Sequence, residues 1–160
     1  TTPAFLRFLD RPGQKYDFDP HLSIPFRMKA GRLIGRITVR VDKDTHLYYQ
    51  WRRHNLPPLL PGPTFYIRPG GKLGLGDGRE LMQLPLGQWV AFEVVGTLGA
   101  APAASFTLRV RLPGETKPRE FRDLPAPSAN FRAMDSLFIV AQGVVAAQFD
   151  VKDIELVPAE

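Results

Sequence analysis

The chain has 160 residues, of which 44% are hydrophobic and 23% are charged, as expected for one globular domain with a sizeable core. It contains no cysteine, which excludes a disulfide framework, a thiolate metal site and a cysteine nucleophile. The 21 basic residues outnumber the 16 acidic ones, a balance that suits either simple solubility or an anionic partner.

Short runs of alternating apolar and polar residues fill the chain between 16 prolines and 14 glycines. Helical periodicity is almost absent, and no apolar run is long enough to span a bilayer. This pattern predicts an all-β, antiparallel two-sheet β-sandwich with about ten or eleven strands. We expect a single domain over residues 1–160, in which residues 1–30 are an irregular N-terminal segment that packs on the sandwich and carries short strands near 5–9 and 24–28.

Two strands are predicted at 33–41 and 46–53, joined by the short polar turn at 42–44. A connection of this length favours a hairpin, which would place the polar faces of both strands side by side on one sheet surface. The polar residues expected on that surface are Arg36 and Arg40 from the first strand and His46, Tyr48, Gln50 and Arg52 from the second.

The opposite face of the strand at 46–53 is apolar and is predicted to be buried; it carries Leu47, Tyr49 and Trp51. Trp89, the second tryptophan, is also predicted to be a core residue because large aromatic side chains are usually buried. A further strand at 64–68 adds Tyr66 and Arg68 to the polar surface.

Three other segments carry local predictions. Residues 55–63 contain four prolines and three leucines, which predicts a stiff loop with exposed leucines. Residues 96–104 are mostly small and are predicted to form a loop. In the last segment the apolar residues change parity near Lys152 and Asp153, which predicts a β-bulge there, because one extra residue reverses the two faces of a strand.

Two short motifs resemble those of a known fold. The segment at 88–93 (QWVAFE) and the final segment at 149–156 (FDVKDIEL) are similar to the strand entry and closing strand of concanavalin A-like, laminin-G-like jelly-roll domains. The resemblance covers about residues 30 to 156 and consists mainly of core and turn residues. It implies a jelly roll of the kind found in carbohydrate-binding modules of secreted glycan-active proteins, although the group also includes enzymes and protein-binding modules.

Motifs for catalysis are largely missing. The Glu-x-Asp-x-x-Glu strand of jelly-roll glycoside hydrolases is absent, and so are the Gln-x-His strand of jelly-roll lyases, nucleophile elbows, phosphate-binding loops and zinc-binding helices. His46, Tyr48 and Arg52 form only a partial lyase-like set. We therefore expect no enzyme, with glycoside hydrolase and polysaccharide lyase activity left open.

The resemblance also raises the question of calcium, because many sandwich modules of this kind hold a structural Ca²⁺ ion between early and late strands. The carboxylates that could serve here are Asp17, Asp19, Asp150 and Asp153. The alternative is that Asp17 caps a turn and Asp153 supports the bulge.

Two functional hypotheses follow. The first is a non-catalytic carbohydrate-binding module for a polysaccharide, which the arginine excess suggests is acidic; its ligand-binding residues would be Arg36, Arg40, His46, Tyr48, Gln50, Arg52, Tyr66 and Arg68. The alternative is a protein-interaction or structural accessory domain that uses the Leu/Pro-rich loop at 55–63. Both place the domain in a larger secreted protein, extracellular or periplasmic, and neither nucleic acid nor a membrane is an expected partner.

Overall fold

The computed structural model describes residues 4–99 and 105–160, which form twelve strands. The strands of the first half are β1 (Leu6–Asp10), β2 (His21–Met28), β3 (Gly31–Val41), β4 (Leu47–Arg53), β5 (Leu60–Arg68) and β6 (Lys72–Gly74). Those of the second half are β7 (Glu80–Gln83), β8 (Val90–Leu98), β9 (Ser105–Arg111), β10 (Arg119–Pro125), β11 (Met134–Ala141) and β12 (Ala147–Ala159).

Two six-stranded sheets face each other across one core. Sheet I has the order β1-β12-β3-β8-β9-β10, and sheet II has the order β2-β11-β4-β5-β6-β7. Every neighbouring pair is antiparallel, as predicted for a two-sheet sandwich. In the described ranges no helix is long and apolar enough to cross a membrane.

The N-terminal segment is more regular than predicted. β1 pairs with β12 at one edge of sheet I, and β2 pairs with β11 at one edge of sheet II, so the segment belongs to both sheets instead of lying upon them. Residues 1–3 of the predicted domain and residues 100–104 of the predicted small-residue loop lie outside the described residues.

The core confirms the apolar face predicted for β4. Leu47, Tyr49 and Trp51 are at most 1% exposed, and the indole Nε1 of Trp51 donates a hydrogen bond to the Tyr49 hydroxyl at 3.0 Å. The facing position on sheet I is Gly35, where a Cβ atom would overlap that hydroxyl. The aromatic residues of the two sheets are therefore packed directly against each other, with a glycine providing the space.

The predicted hairpin between the strands at 33–41 and 46–53 is wrong. β3 lies in sheet I between β12 and β8, whereas β4 lies in sheet II between β11 and β5. The turn between them crosses from one sheet to the other and is held by Asp42, whose carboxylate accepts hydrogen bonds from the Asp44 N–H and the Thr45 hydroxyl, both at 2.9 Å. Alternation shows which face of each strand is apolar, but two strands can direct those faces at one core from the same sheet or from opposite sheets.

Two further predictions have opposite outcomes. The bulge in β12 is confirmed, because the register with β3 shifts between Lys152 and Glu155 and Asp153 has a positive φ of 52°. The burial of Trp89 in the core is wrong. It precedes β8 on the outer face of sheet I, half-buried, with the Arg40 guanidinium carbon 4.5 Å from its ring centre.

Candidate functional site

The candidate site is the outer face of sheet II, formed by the side chains of β11, β4 and β5 that point away from the core. Cross-strand register sets Tyr48 opposite Tyr66 and Gln50 opposite Thr64. The structure brings together six of the eight predicted ligand-binding residues on this face: His46, Tyr48, Gln50, Arg52, Tyr66 and Arg68.

Arg36 and Arg40 do not belong to this site. They lie on the outer face of sheet I, on the opposite side of the molecule, because β3 and β4 are in different sheets. There Arg36 pairs with Glu93 at 2.9 Å and Arg40 pairs with Asp150 at 2.7 Å. Their inclusion in the predicted surface was therefore wrong, and it followed directly from the wrong hairpin.

On the outer face of sheet II, three neighbouring side chains hold the guanidinium of Arg52 in place. Its guanidinium carbon lies 4.0 Å from the centre of the Phe138 ring, and its Nη2 donates a hydrogen bond to the Tyr48 hydroxyl at 2.7 Å. Its Nε donates to the Oε1 atom of Gln50. These contacts fix the guanidinium plane, while Nη1 has no protein acceptor among the described residues.

Gln50 and Thr64 support this arrangement from beneath. The side-chain amide of Gln50 donates to the Thr64 hydroxyl at 3.0 Å, and that hydroxyl donates to the Gly62 carbonyl at 2.8 Å. Both side chains are buried, so water does not compete for these hydrogen bonds. Because the Thr64 hydroxyl donates to Gly62, it accepts from the Gln50 amide, and this orients the Gln50 side-chain carbonyl towards the Arg52 guanidinium.

A second cation, Arg68, lies at the other side of the tyrosine pair. The Tyr48 and Tyr66 rings are 5.3 Å apart, and the Arg68 guanidinium carbon is 4.9 Å from the Tyr66 ring centre. Arg68 Nη2 donates to the Leu75 carbonyl at 2.8 Å. Gly74 makes this position accessible, since a Cβ there would lie 3.0 Å from Arg68 Nη1.

Two titratable side chains at the tyrosine pair, Tyr66 and His46, are uncharged at neutral pH. Burial, together with the nearby Tyr48, raises the pKa of Tyr66, so its phenol stays protonated. Burial and the nearby Arg68 lower the pKa of His46, with a smaller opposing effect from Asp10. Near neutrality the charge of the β4 and β5 side chains on this face therefore comes from Arg52 and Arg68.

The arginines of the two sheets differ in whether carboxylates neutralise their charge. On sheet I, Arg36 and Arg109 both bond Glu93, and Arg7 and Arg40 both bond Asp150. On the outer face of sheet II, Arg52 and Arg68 make hydrogen bonds only to neutral acceptors within the described part of the chain. Arg52 and Arg68 are therefore two positive charges on this face that have no carboxylate partner among residues 4–99 and 105–160.

Some details differ from the sequence prediction. Tyr48 and Gln50 are only 8% and 6% exposed, so Tyr48 does not offer an open ring face for a sugar to stack on. Sequence reasoning missed Phe138, which supports Arg52 and which β11 places directly opposite Gln50. The continuous apolar run at 137–141 was the available signal, but it does not show which side chain faces outward, and its partner strand could not be read from the sequence.

The four aspartates considered for calcium are not brought together. Asp150 is bonded by Arg7 and Arg40, and burial is outweighed by these hydrogen bonds, so the pKa of Asp150 is lowered. Asp19 lies 3.1 Å from the Nδ1 atom of His21, and Asp17 and Asp153 are exposed. Across residues 4–99 and 105–160, no three acidic or histidine side chains are grouped as a metal site requires.

The proline-rich loop ends earlier than predicted, because β5 begins at Leu60. Leu56 and Leu59 are 65% and 45% exposed, as expected for a loop with outward-facing leucines. The loop is anchored at its start by Asp135, whose carboxylate accepts the backbone N–H groups of His54 at 2.8 Å and Asn55 at 2.9 Å.

Comparison with solved structures identifies the fold. The chain is similar to a marine alginate lyase from Aplysia kurodai, with a TM-score of 0.61 and 8% identity over 97% of this chain and 83% of the other. An endo-β-1,4-glucuronan lyase from Trichoderma reesei gives a TM-score of 0.56 and 11% identity over 97% and 81% of the two chains. A mutant of alginate lyase Aly36B in complex with alginate tetrasaccharide gives 0.51 and 10% over 98% and 82%.

At these identities the comparisons establish the fold alone, which is the concanavalin A-like jelly roll that the sequence resemblance implied. No protein-family model matches the chain, and a comparison with curated protein sequences finds no match.

Proposed function

We propose that this chain is a carbohydrate-binding domain that binds an acidic polysaccharide on the outer face of sheet II without cleaving it. The observation that carries the proposal is Arg52, a half-buried guanidinium that Phe138, Tyr48 and Gln50 hold in place. Among the residues that the structure describes, it has no carboxylate partner, and its Nη1 atom has no acceptor. A buried or half-buried cation normally has an anionic partner, and a ligand carboxylate would supply it.

The geometry favours a carboxylate over an isolated hydroxyl group. A guanidinium presents planar N–H donors that match the two oxygens of a carboxylate, and the stacking of Arg52 on Phe138 already fixes this plane. Because Tyr48 and Gln50 hold the side chain before a ligand arrives, little conformational entropy is lost on binding. A charge-assisted contact of this kind contributes about 1.5 to 3 kcal/mol.

Arg68 extends the same chemistry beyond one sugar unit. It lies on Tyr66, and the Tyr48–Tyr66 pair separates it from Arg52. A polymer with a carboxylate on successive units could contact one arginine at each side of the pair and the tyrosine hydroxyls between them. The ligand class is therefore a polyuronate.

The solved structures support this class of ligand. The similar proteins are named as lyases of alginate and of glucuronan, and one of them was solved with an alginate tetrasaccharide. These names describe those proteins, and the proposal for this chain rests on its own arginines. A polysaccharide ligand agrees with a secreted accessory domain of a larger protein, and we include that setting in the proposal.

Cleavage is not part of the proposal. Elimination from a uronate requires a base close to the bound sugar. Burial raises the pKa of Tyr66 and keeps its phenol protonated, so His46, whose pKa is lowered by burial, is the candidate base that the test below examines. Glu93, the carboxylate of its strand, lies on sheet I and is paired with Arg36 and Arg109. Two-carboxylate hydrolysis therefore cannot use it together with the outer face of sheet II.

The proposal is tested by electrophoresis of the pure domain through gels that contain alginate, polyglucuronate or polygalacturonate, with an uncharged polysaccharide for comparison. We expect retardation by at least one polyuronate and none of the unsaturated product that a lyase would release, which is detected by ultraviolet absorbance. Unchanged migration in every polyuronate gel would refute binding, and unsaturated product lost on the His46→Gln substitution would refute a non-catalytic role.

A second candidate function is docking on a partner protein through the loop before β5, because Leu56 and Leu59 expose much of their apolar surface. The double substitution Leu56→Ser and Leu59→Ser separates the two functions. Under our main proposal this variant keeps its retardation by polyuronate. If the chain is instead an interaction domain, the variant loses binding to the partner protein, and neither it nor the unsubstituted chain is retarded by polyuronate.

A further inference from the structure

A concave surface lies on the other side of the molecule, on the outer face of sheet I, and it has a volume of about 420 Å³. Its floor is formed by Thr38 and Ala91, two small residues that are directly opposite each other on β3 and β8. The neighbouring outward positions carry long charged side chains, so the floor is lower than its surroundings. We call this surface the sheet I trough.

One wall of the trough is a row of paired charges. Glu93 accepts hydrogen bonds from Arg36 Nε at 2.9 Å and from Arg109 Nη1 at 2.6 Å. Arg36 Nη1 also donates to Glu155 at 3.1 Å, and Arg109 Nε donates to Glu120 at 2.6 Å. In the described part of the chain this leaves the Nη2 nitrogen of each arginine without a protein acceptor.

This wall is fixed and electrically balanced. Hydrogen bonds from Arg36 and Arg109 outweigh the effect of burial and lower the pKa of Glu93, so the carboxylate stays ionised well into the acid range. Each arginine is shared between two carboxylates, which restricts its rotation. With Arg122, which pairs with Glu120, the wall has three arginines and three carboxylates, so it offers N–H donors and carboxylate acceptors side by side.

The ends of the trough carry one residue of each sign. Arg111 on β9 is opposite Ala91, and Asp153 occupies the bulge of β12 with its positive φ. A charged ligand would meet a like charge at one of the two ends, which disfavours both anions and cations. An uncharged ligand whose groups both donate and accept hydrogen bonds suits the lining best.

We propose that the sheet I trough is a second binding site, which takes an uncharged oligosaccharide. Sugar hydroxyls can donate to Glu93 and Glu155 while they accept from the free Nη2 atoms of Arg36 and Arg109. The flat floor of Thr38 and Ala91 allows a sugar ring to lie against the sheet. This site is independent of the polyuronate site, because the two are on opposite faces of the sandwich.

The test is a titration of the isotope-labelled domain with cello-, xylo- and manno-oligosaccharides, followed by two-dimensional NMR of the backbone amides. We expect shifts confined to the residues around Thr38, Ala91 and Arg111 with at least one of these sugars. The Trp89 indole N–H is a second reporter, since Trp89 is two residues before Ala91 on the same face of the chain and Trp51 is fully buried.

Two variants locate the binding. Ala91→Leu fills the floor and Arg111→Ala removes one end, and each should weaken binding of the uncharged sugar by about tenfold or more. Arg52→Ala, on the opposite face, should leave it unchanged. Shifts that appear on sheet II and disappear in Arg52→Ala, or no shifts with any of the three sugars at millimolar concentration, would overturn the proposal without bearing on polyuronate binding.

Discussion

Replacing Arg52 is the sharpest perturbation of the proposed polyuronate site. Arg52→Ala removes the guanidinium that Phe138, Tyr48 and Gln50 hold in place. A charge-assisted hydrogen-bonded contact is worth about 1.5 to 3 kcal/mol, which corresponds to an affinity loss of about 10- to 150-fold. Arg52→Lys keeps the charge but cannot bond Tyr48, Gln50 and a ligand in one plane, so we expect it to recover only a minor part of the loss.

The assay is affinity electrophoresis in gels of increasing polyuronate concentration, from which a dissociation constant is obtained for each variant. Arg122→Ala is the matched control, because it removes one positive charge from an exposed side chain on sheet I, where Arg122 pairs with Glu120. Urea unfolding of each variant shows whether the fold is retained. The control should bind like the parent chain.

Two results would refute the reasoning about Arg52. If Arg52→Ala and Arg122→Ala weakened binding equally, the interaction would depend on net charge and not on a site. If Arg52→Lys bound as tightly as the parent chain, the planar arrangement on Phe138 would have no role in recognition. A loss of affinity in Arg52→Ala that persists at high salt would support a specific, partly desolvated contact.

Three further predictions address packing and pH. Gly35→Ala places a Cβ against the Tyr49 hydroxyl and should lower the free energy of unfolding by about 1 to 3 kcal/mol, measured with urea; an unchanged midpoint would contradict the packing described. Burial raises the pKa of Asp150, but hydrogen bonds from two arginines outweigh this effect, so the pKa in the folded state is lower than in the unfolded state. The resulting stabilisation is present above the unfolded-state pKa and is lost as pH falls through the folded-state pKa. Acid unfolding should therefore be less steep in Asp150→Asn, and identical pH profiles would contradict this. Burial and a neighbouring arginine depress the pKa of His46, so its protonation at acidic pH adds a charge beside the site. Polyuronate affinity should increase as pH falls below the ordinary histidine pKa in the parent chain and stay flatter in His46→Gln.

The sequence predicts local features of this fold well because they depend on neighbouring residues. Alternation in β4 is sufficient to direct Leu47 and Trp51 to the core, and the change of parity in β12 is sufficient to place the bulge at Asp153. Both follow from the two-residue period of a strand, which the amino-acid order contains directly.

Strand pairing is a different kind of information. The same alternation in β3 fits a strand beside β4 or one facing it across the core, and a connection of only a few residues did not decide between them. Arg36 and Arg40 were therefore assigned to the wrong face, and Phe138, which reaches the site from β11, could not be recognised. The position of Trp89 depends likewise on which face of sheet I its strand presents to solvent.

The ordering of Arg52 could be predicted only in part. The sequence shows that Tyr48, Gln50 and Arg52 lie on the same face of β4. Their hydrogen bonds form only because the Arg52 side chain folds back along its own strand, over Gln50 and Tyr48, and this conformation cannot be predicted from the sequence. The absence of a counter-ion among the described residues could not be read from the sequence at all, because acidic residues are distributed along the whole chain.

The most direct test of polyuronate recognition is NMR mapping of the isotope-labelled domain titrated with a short alginate or glucuronan oligosaccharide. We expect saturable shifts at Tyr48, Arg52, Tyr66 and Arg68 and unchanged resonances around Thr38 and Ala91. Shifts centred on the outer face of sheet I, or none on the outer face of sheet II at saturating oligouronate, would contradict the account.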